Sequence, residues 1–187
     1  MVYFWKIRER LYLGNYWSGE RALLGVKVAE PVVDDEATTF AGVVSLCAIP
    51  LEDAEPLIGP INPNTEWLHL PIADGGSGEA EFEAACDLAL PFIQRTRSRG
   101  NVLVHCTAGM SRSVSVVAAV LCIEEPEMDV ETAFSEVAQA KGRALGVNPN
   151  EADLLIAPAW EFRVHLRQRF PRKTSLGERS ATPREKN

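Results

Sequence analysis

The chain has 187 residues, 46% hydrophobic and 24% charged, with a formal net charge of −7; this suits one domain with a sizeable core and excludes general disorder. Residues 171–187 hold five Lys or Arg and two Glu, a net +3, so the first 170 residues carry −10. A body that acidic is a poor general binder of nucleic acid or anionic membranes, and no apolar run reaches the roughly 18 residues of a membrane span.

Four short apolar runs predict the strands of a buried sheet. Residues 11–15 form a short opening strand and turn, and residues 42–47 and 65–71 form the next two strands. Residues 101–105 are apolar and β-branched, as expected of a buried parallel strand. The connection over residues 52–64 contains three prolines and is predicted to be a loop.

Helical spacing dominates the rest of the chain. Apolar residues recur at helical intervals over residues 79–97, although Pro91 predicts a kink or break there. Residues 113–123 are apolar nearly all round, and their length and the loop before them favour a buried helix over a strand. Asp129 is placed to cap the next helix, and a last helix is expected over residues 151–170.

The order of these elements predicts the fold class. Strands alternate with helices along the chain, which indicates an α/β fold with a central, mostly parallel sheet flanked by helices. The acidic residues 18–36 are loosely patterned and indicate a loop or a short helix. The basic residues 171–187 are rich in Ser, Thr and Pro and are expected to be a disordered tail. A docking or targeting role for that tail stays open.

The most informative segment is residues 105–113, His-Cys-Thr-Ala-Gly-Met-Ser-Arg-Ser, in which five residues separate Cys106 from Arg112. That spacing lets the backbone curl so that successive N–H groups point inward and form an anion-binding nest. The predicted nest consists of five uncharged residues, Thr107, Ala108, Gly109, Met110 and Ser111. Arg112 closes it with a planar fork that can hold two phosphoryl oxygens at once.

Cys106 is the candidate nucleophile at the centre of this loop. Inward amides, a guanidinium and a helix N-terminus favour the thiolate, and such settings bring the pKa of a cysteine to roughly 3.5–7.5. A strand, a loop and a helix N-terminus in succession also form a phosphate site through the helix dipole and the free amides. The alternative is a buried structural cysteine at the end of a strand.

With the signature His105-Cys106-x5-Arg112-Ser113, the chain resembles the cysteine-based protein phosphatases and, within them, the dual-specificity branch. The resemblance covers roughly residues 10–170 and implies one catalytic domain over residues 1–170. It implies hydrolysis of phosphotyrosine and of phosphoserine or phosphothreonine in proteins through a phosphocysteine intermediate. No cluster of His, Cys, Asp or Glu has metal-ligand spacing, so the reaction is expected to need no metal or other cofactor.

Asp74 is the candidate general acid. Expulsion of an alkoxide or phenoxide is easier when an acid protonates the leaving oxygen. Asp74 lies 32 residues before Cys106, past a predicted strand, on a loop with three glycines. Dual-specificity phosphatases carry their acid on such a loop at a similar separation. Alternatively Asp74 only starts a turn, and Asp53 or Glu79 would be the next candidates.

The resemblance also assigns supporting roles. The hydroxyl of Ser113 is expected to donate to the sulfur when it leaves phosphorus, and a helix-capping role for Ser113 is compatible with this. His105 is expected to orient the loop rather than act as a base. His69 and His165 have no partner pattern and are interpreted as structural or exposed residues.

Cys47 is a redox candidate, because parallel strands bring their carboxyl ends to one edge of the sheet and Cys47 ends a predicted strand. A disulfide between Cys47 and an oxidised Cys106 would protect the nucleophile reversibly, as a Leu-Cys at this strand end does in the lipid-phosphatase relatives. The alternative is that Cys47 is a small core residue.

Substrate and compartment follow less directly. Relatives that act on inositol lipids carry lysines inside the loop, so the uncharged loop favours phosphoproteins; a phosphoinositide or phosphoglycan phosphatase is the alternative. A phosphoprotein-binding pseudophosphatase is a further alternative, but such proteins typically lack the cysteine, the arginine or the acid, and all three are present in this chain. Four irregularly spaced cysteines and too short an apolar N-terminus for a signal peptide point to the cytoplasm.

Overall fold

The computed structural model describes residues 4–25, 39–47, 61–75 and 79–172, which build a twisted sheet covered by helices on both faces. The strands are β1 Phe4–Arg8, β2 Leu11–Gly14, β3 Gly42–Ser45, β4 Glu66–His69 and β5 Val102–His105. Their order across the sheet is β1-β2-β5-β3-β4. The β1–β2 pair is antiparallel and the other three pairs are parallel. This confirms the predicted α/β fold with a mostly parallel sheet.

The helices follow the strands in the expected alternation. They are α1 Tyr16–Leu23, α2 Glu79–Arg97, α3 Arg112–Glu124, α4 Val130–Leu145 and α5 Trp160–Arg169, with a 3₁₀ helix at Pro149–Leu155. Asp129 caps α4 as predicted, because its Oδ1 accepts from the N–H of Thr132 at 2.8 Å. Asn15 caps α1 in the same way through the N–H of Ser18. None of the described helices combines the length and apolarity that a membrane span requires.

Three predicted element boundaries need correction. Strand β1 precedes the predicted opening strand and forms a hairpin with it. Helix α2 runs through Pro91 without a break. The predicted last helix over residues 151–170 is two helices, because Pro158 cannot continue a helical hydrogen-bond pattern and restricts the residue before it to an extended backbone.

Some predicted segments are only partly described. The acidic stretch 18–36 begins inside α1, and residues 26–38 lie outside the described part of the chain. Most of the predicted loop over residues 52–64 also lies outside it, together with Asp53. Residues 173–187 lie outside it as well, so the tail stays a prediction.

The middle of the sheet places the Cys-x5-Arg segment. β3 and β5 are buried along their whole length, and His105 is in register with Ser45 on one side and Gly14 on the other. All residues of α3 from Arg112 to Cys122 are buried against this sheet and the neighbouring helices. The carboxyl ends of three parallel strands therefore converge where β5 ends and α3 begins.

Candidate active site

The backbone between β5 and α3 is the 106–111 loop, and contacts from outside fix its peptide groups. Three loop carbonyls accept hydrogen bonds from donors on other elements: Thr107 O from Tyr16 N at 3.1 Å, Gly109 O from Lys141 Nζ at 2.7 Å and Met110 O from Ala157 N at 2.8 Å. The C=O and N–H of a trans peptide point in opposite directions. The N–H groups of the next residues, Ala108, Met110 and Ser111, share peptide groups with these carbonyls. They therefore point away from the outer donors, as in an anion-binding nest.

Gly109 meets a steric requirement of this loop. Its φ of +68° lies in the left-handed region, and a Cβ atom there would come within 2.9 Å of the Gly14 carbonyl oxygen and 3.0 Å of the Trp5 ring. Any side chain would have to displace backbone as well as the indole, so the close packing of the loop on β1 and β2 requires glycine.

Cys106 and Ser113 are in hydrogen-bond contact at the centre of the site. The Sγ atom of Cys106 lies 3.1 Å from the Oγ atom of Ser113, and both side chains are buried. Ser113 lies inside α3, and Ser111 occupies the capping position without a side-chain capping bond. The alternative reading of Ser113 as the helix cap is therefore wrong, while its hydroxyl faces the sulfur as predicted.

Arg112 is anchored on one edge of its guanidinium group. Nη1 donates to the carbonyl oxygens of Leu46 at 3.2 Å and Ile72 at 3.1 Å, and Nη2 donates to Thr107 Oγ1 at 2.9 Å. Nε is buried and makes no hydrogen bond with any of the described residues. The fork is thus held in place by the ends of two neighbouring chain segments, with one buried donor left for a ligand.

Asp74 reaches the same place from the loop after β4. Its Oδ2 lies 3.4 Å from Nη2 of Arg112, and its side chain is 45% exposed. Gly75, at φ +98°, turns the chain directly after it and lies against the start of α5. Of the two reserve acid candidates, Asp53 and the side chain of Glu79 lie outside the described residues.

His105 is a buried support beneath the loop. Its Nε2 lies 2.6 Å from Ser45 Oγ, which also accepts from Trp67 Nε1 at 2.9 Å. Burial lowers the pKa of His105 to about 4, and the nearby backbone of Cys106 opposes the shift. The ring is therefore neutral at physiological pH, which suits an orienting residue. Gly19 of α1 packs so closely on the imidazole that a Cβ there would lie 2.2 Å from it.

The other two histidines lie outside this cluster of hydrogen bonds. His69 stacks on the indole of Trp67 with a centroid distance of 5.0 Å, and its Nε2 lies 3.2 Å from the carbonyl oxygen of Cys47. His165 is buried with its ring edge against Phe82. Their contacts agree with a packing role.

Cys47 follows β3 and lies within electrostatic reach of Cys106, the candidate nucleophile. Burial raises the pKa of the Cys47 thiol to about 11, and the charge of Cys106 raises it further, while Arg112 and a hydrogen bond with Thr107 act in the opposite direction. Leu46 donates its N–H to the carbonyl oxygen of His105 at 2.9 Å, so the two chain segments still pair at this point. Cys47 is a free, buried thiol.

Lys141 is a site residue that the sequence motifs do not single out. It is 2% exposed, and its Nζ donates to Gly109 O and to Leu155 O, each at 2.7 Å. Burial lowers the pKa of Lys141 to about 8, with the charge of Cys106 opposing the shift. The signal in the sequence is positional, because residue 141 falls on the apolar face that Phe134 and Val137 define on α4.

Comparison with known proteins identifies the family. The family model for the dual specificity phosphatase catalytic domain matches residues 48–157, more than half of the chain. The chain belongs to the dual specificity phosphatase family. The matched range includes the 106–111 loop, Asp74, Arg112, Ser113 and Lys141.

Curated relatives of this phosphatase domain are longer proteins. Dual specificity protein phosphatase 12 of Rattus norvegicus is 29% identical over 161 residues, 86% of this chain and 42% of the relative. The Homo sapiens protein of the same name is 30% identical over 132 residues, 70% of this chain and 35% of the relative. The chain thus spans about two fifths of the length of the curated relatives it matches.

Solved structures show the same fold. The Cydia pomonella PTP-2 phosphatase superposes with a TM-score of 0.63 at 18% identity, covering 90% of each chain. Human DUSP28 superposes with a TM-score of 0.55 at 20% identity, covering 89% of this chain and 92% of the other. At these identities the likeness speaks for the fold of this phosphatase domain alone.

Proposed function

We propose that this domain hydrolyses phosphate monoesters of proteins, accepting phosphotyrosine as well as phosphoserine and phosphothreonine, through a phosphocysteine intermediate. One observation carries the proposal. Three groups meet at the carboxyl edge of the sheet: a buried sulfur with a hydroxyl at 3.1 Å, a guanidinium whose Nε makes no hydrogen bond within the described part of the chain, and a carboxylate 3.4 Å from that guanidinium. Family membership supplies independent support.

In the first step the Cys106 thiolate attacks phosphorus in line with the leaving oxygen. The equatorial oxygens of a phosphoryl group in the nest would accept hydrogen bonds from Nε of Arg112 and from the loop N–H groups. The S–P bond forms as the P–O bond breaks, and Asp74 gives its proton to the departing oxygen. The alcohol or phenol leaves, and Asp74 becomes a carboxylate.

In the second step water attacks the phosphocysteine. The Asp74 carboxylate takes a proton from the water as its oxygen bonds to phosphorus, and the S–P bond breaks. The electron pair returns to the sulfur, and the Ser113 hydroxyl donates a hydrogen bond to the re-forming thiolate. Phosphate leaves, and the thiolate and the acid are restored for the next cycle.

The chemistry of the loop supports a phosphoprotein substrate. The five residues between Cys106 and Arg112 carry no charge, so the loop offers no extra cation for a second phosphate on an inositol ring. Apolar side chains stand at the loop and on α5, with Met110 36% and Trp160 66% exposed. Such surfaces suit a peptide better than a highly charged headgroup.

The decisive experiment assays the purified protein on phosphopeptides, phosphoinositides and an aryl phosphate, beside its Cys106→Ser variant. The wild type is expected to release phosphate from peptides, and Cys106→Ser is expected to release none, because this loop cannot ionise a serine hydroxyl to any useful extent. Residual turnover within tenfold of wild type would contradict the mechanism. Phosphoinositide turnover with no peptide turnover would favour the lipid alternative, and binding without turnover the pseudophosphatase.

A further inference from the structure

We propose that Lys141 is a positioning residue of the active site, which holds the 106–111 loop in its anion-binding conformation and places a buried positive charge behind the bound phosphoryl group. The inference rests on the proposed function in that it concerns the same loop. Lys141 lies 35 residues after Cys106, on α4, and belongs to no part of the Cys-x5-Arg segment.

The surroundings of the ammonium group are fully specified. Nζ donates to two backbone carbonyls at 2.7 Å, one in the 106–111 loop and one at the end of the 3₁₀ helix. It also lies 4.3 Å from the centroid of the Trp5 ring, whose face attracts a cation. Lys141 therefore joins β1, the 3₁₀ helix and the loop at one buried point.

The bond to Gly109 bears directly on phosphate binding. Because the Gly109 carbonyl points at Nζ, the N–H of Met110 in the same peptide group points the opposite way, away from Lys141. Gly109 is also the loop residue with the left-handed φ, and such a peptide group rotates readily unless something holds it. Lys141 thus determines which side of this peptide faces an anion.

No carboxylate among the described residues forms an ion pair with Lys141. Arg8 of β1 pairs with Glu125 and Glu136, and Arg163 of α5 pairs with Glu131. Glu151 and Asp153 on the 3₁₀ helix are exposed, and Asp74 lies beside Arg112 at the start of α3. Among the described groups, Cys106 is the charge that acts on Lys141.

That arrangement distinguishes a functional lysine from a packing residue. Burying an ammonium group without a carboxylate is unfavourable, and an apolar side chain of similar length would fill the same space at less cost. A dianionic phosphoryl group bound at the loop would supply the missing negative charge. The lowered pKa of Lys141, about 8, agrees with a charge that is destabilised until an anion binds.

The test compares Lys141→Met, Lys141→Arg and, as a matched control, Lys6→Met, which removes the same charge from a half-exposed position on β1. Inorganic phosphate is the competitive probe, and an aryl phosphate is the substrate. For Lys141→Met we expect the phosphate inhibition constant and KM to rise about 10- to 100-fold, the usual range for losing a hydrogen bond from a charged donor. Lys141→Arg should recover most of the affinity, and Lys6→Met should stay within twofold of wild type.

A merely structural role predicts another pattern. It would lower the thermal midpoint of Lys141→Met while leaving the phosphate affinity of the folded fraction unchanged, and that result would overturn the proposal. If Lys141→Met does not fold, the proposal is tested on the wild-type protein. Inhibition by sulfate, whose charge is constant in this range, should weaken as pH rises through about 8, and a flat profile from pH 7 to pH 9.5 would contradict the role of the charge.

Binding to a catalytically silent protein separates this inference from the proposed function. Calorimetry on Cys106→Ser, with and without Lys141→Met, measures phosphate affinity without turnover. Suppose that the wild type hydrolyses no monoester, while Cys106→Ser binds phosphate tightly and the double variant with Lys141→Met does not. The proposed function then fails and the positioning role stands. Equal affinities in both proteins would overturn the positioning role whatever the activity.

Discussion

The carboxylate of Asp74 lies 3.4 Å from the guanidinium group of Arg112 although 38 positions separate them in the chain. Arg112 is held through the carbonyls of Leu46 and Ile72, and Ile72 lies two residues before Asp74. The anchor of the arginine and the position of the acid therefore depend on the same short segment after β4. The carboxyl group of Asp74, the proposed proton donor, is therefore kept beside the guanidinium group of Arg112.

Asp74→Asn is expected to separate substrates by their leaving groups. We expect kcat for an alkyl phosphate to fall about 10²- to 10⁴-fold, the usual range for losing a general acid. The loss should be smaller for an aryl phosphate, whose leaving group needs little protonation. Steady-state kinetics on the two substrates measure the difference, and equal losses would move the acid role to another residue, with Asp53 and Glu79 tested next.

Ser113→Ala is expected to slow the second chemical step more than the first. The hydroxyl lies 3.1 Å from the sulfur and, in the proposed mechanism, donates to the thiolate that leaves phosphorus. A hydrogen bond to a charged group contributes roughly 1.5–3 kcal/mol, or about 10- to 100-fold in rate. With an aryl phosphate, rapid-mixing experiments should show a burst of phenol close to one per active site, followed by slow turnover. Ser115→Ala, two residues further along α3, is the matched control, and a variant with no burst and unchanged turnover would refute the role of Ser113.

The elements nearest the Cys-x5-Arg segment are the most predictable, and the reason is local. β5 and α3 are largely apolar and the loop between them has a fixed spacing, so the pattern within residues 101–123 suffices to predict a strand, a loop and a helix. The site around the loop is less predictable, because Tyr16, Lys141 and Ala157 bond to it from distant parts of the chain. Nothing in the local pattern of those residues specifies a carbonyl more than 30 positions away.

The division of the last predicted helix illustrates the same limit. Pro158 carries a signal for a break, but helical spacing on both sides conceals it. The extended residues around it contribute to the site, since Ala157 N bonds to Met110 O at 2.8 Å and Ala159 N bonds to Ser111 Oγ at 3.2 Å. A break that looks like an irregularity in the sequence thus places donors against the 106–111 loop.

Gly109→Ala is expected to reduce activity severely with little loss of the sheet. The Cβ would lie 2.9 Å from the Gly14 carbonyl oxygen at a φ that side chains rarely adopt. Since the loop must shift to relieve this contact, phosphate affinity should fall at least about tenfold, while the helix and strand content seen by circular dichroism stays unchanged. Gly146→Ala, at a similar φ but with open space around it, is the control for backbone strain alone. Equal effects of the two substitutions would show that contact with β2 is unimportant.

The lowered pKa of His105 predicts that the free energy of unfolding falls in acid. Its pKa of about 4 in the folded protein is below the ordinary value of 6.5, because burial disfavours the charged ring. Between pH 4 and pH 6.5 the His105 ring is protonated in the unfolded chain but not in the folded protein. The contribution of the neutral ring to the free energy of unfolding is therefore fully present above pH 6.5 and is lost as pH falls towards 4. A shift of that size corresponds to about 3 kcal/mol at most. Denaturant unfolding from pH 7 to pH 4 should show this loss, and His105→Gln should show a flatter dependence; parallel curves for the two proteins would contradict the assignment.

Cys47 and Cys106 are predicted to form a disulfide under mild oxidation. Peroxide converts the Cys106 thiolate to a sulfenic acid, and the Cys47 thiolate then attacks that sulfur, so that the S–S bond forms as the S–O bond breaks and hydroxide leaves. The register of β3 and β5 places Cys47 one position beyond the residue opposite Cys106. Both cysteines lie past the last paired residues of their strands, and the charge of Cys106 acts on the Cys47 thiol, so the two side chains lie near each other.

The raised pKa of Cys47 determines the rate of this trapping step. With a pKa of about 11, Cys47 is a thiol at neutral pH, so disulfide formation should be slow at pH 7. The rate should rise about tenfold with each unit of increasing pH until the pH approaches the pKa. Mass spectrometry after dilute peroxide treatment should detect the linked 47–106 peptide. Cys47→Ser should lose recovery of activity by dithiothreitol as peroxide exposure lengthens, because unprotected Cys106 proceeds to the sulfinic acid. Cys122→Ser, at a buried position on α3, is the control. Recovery of Cys47→Ser equal to that of wild type, with no linked peptide, would leave Cys47 as a packing residue of the core.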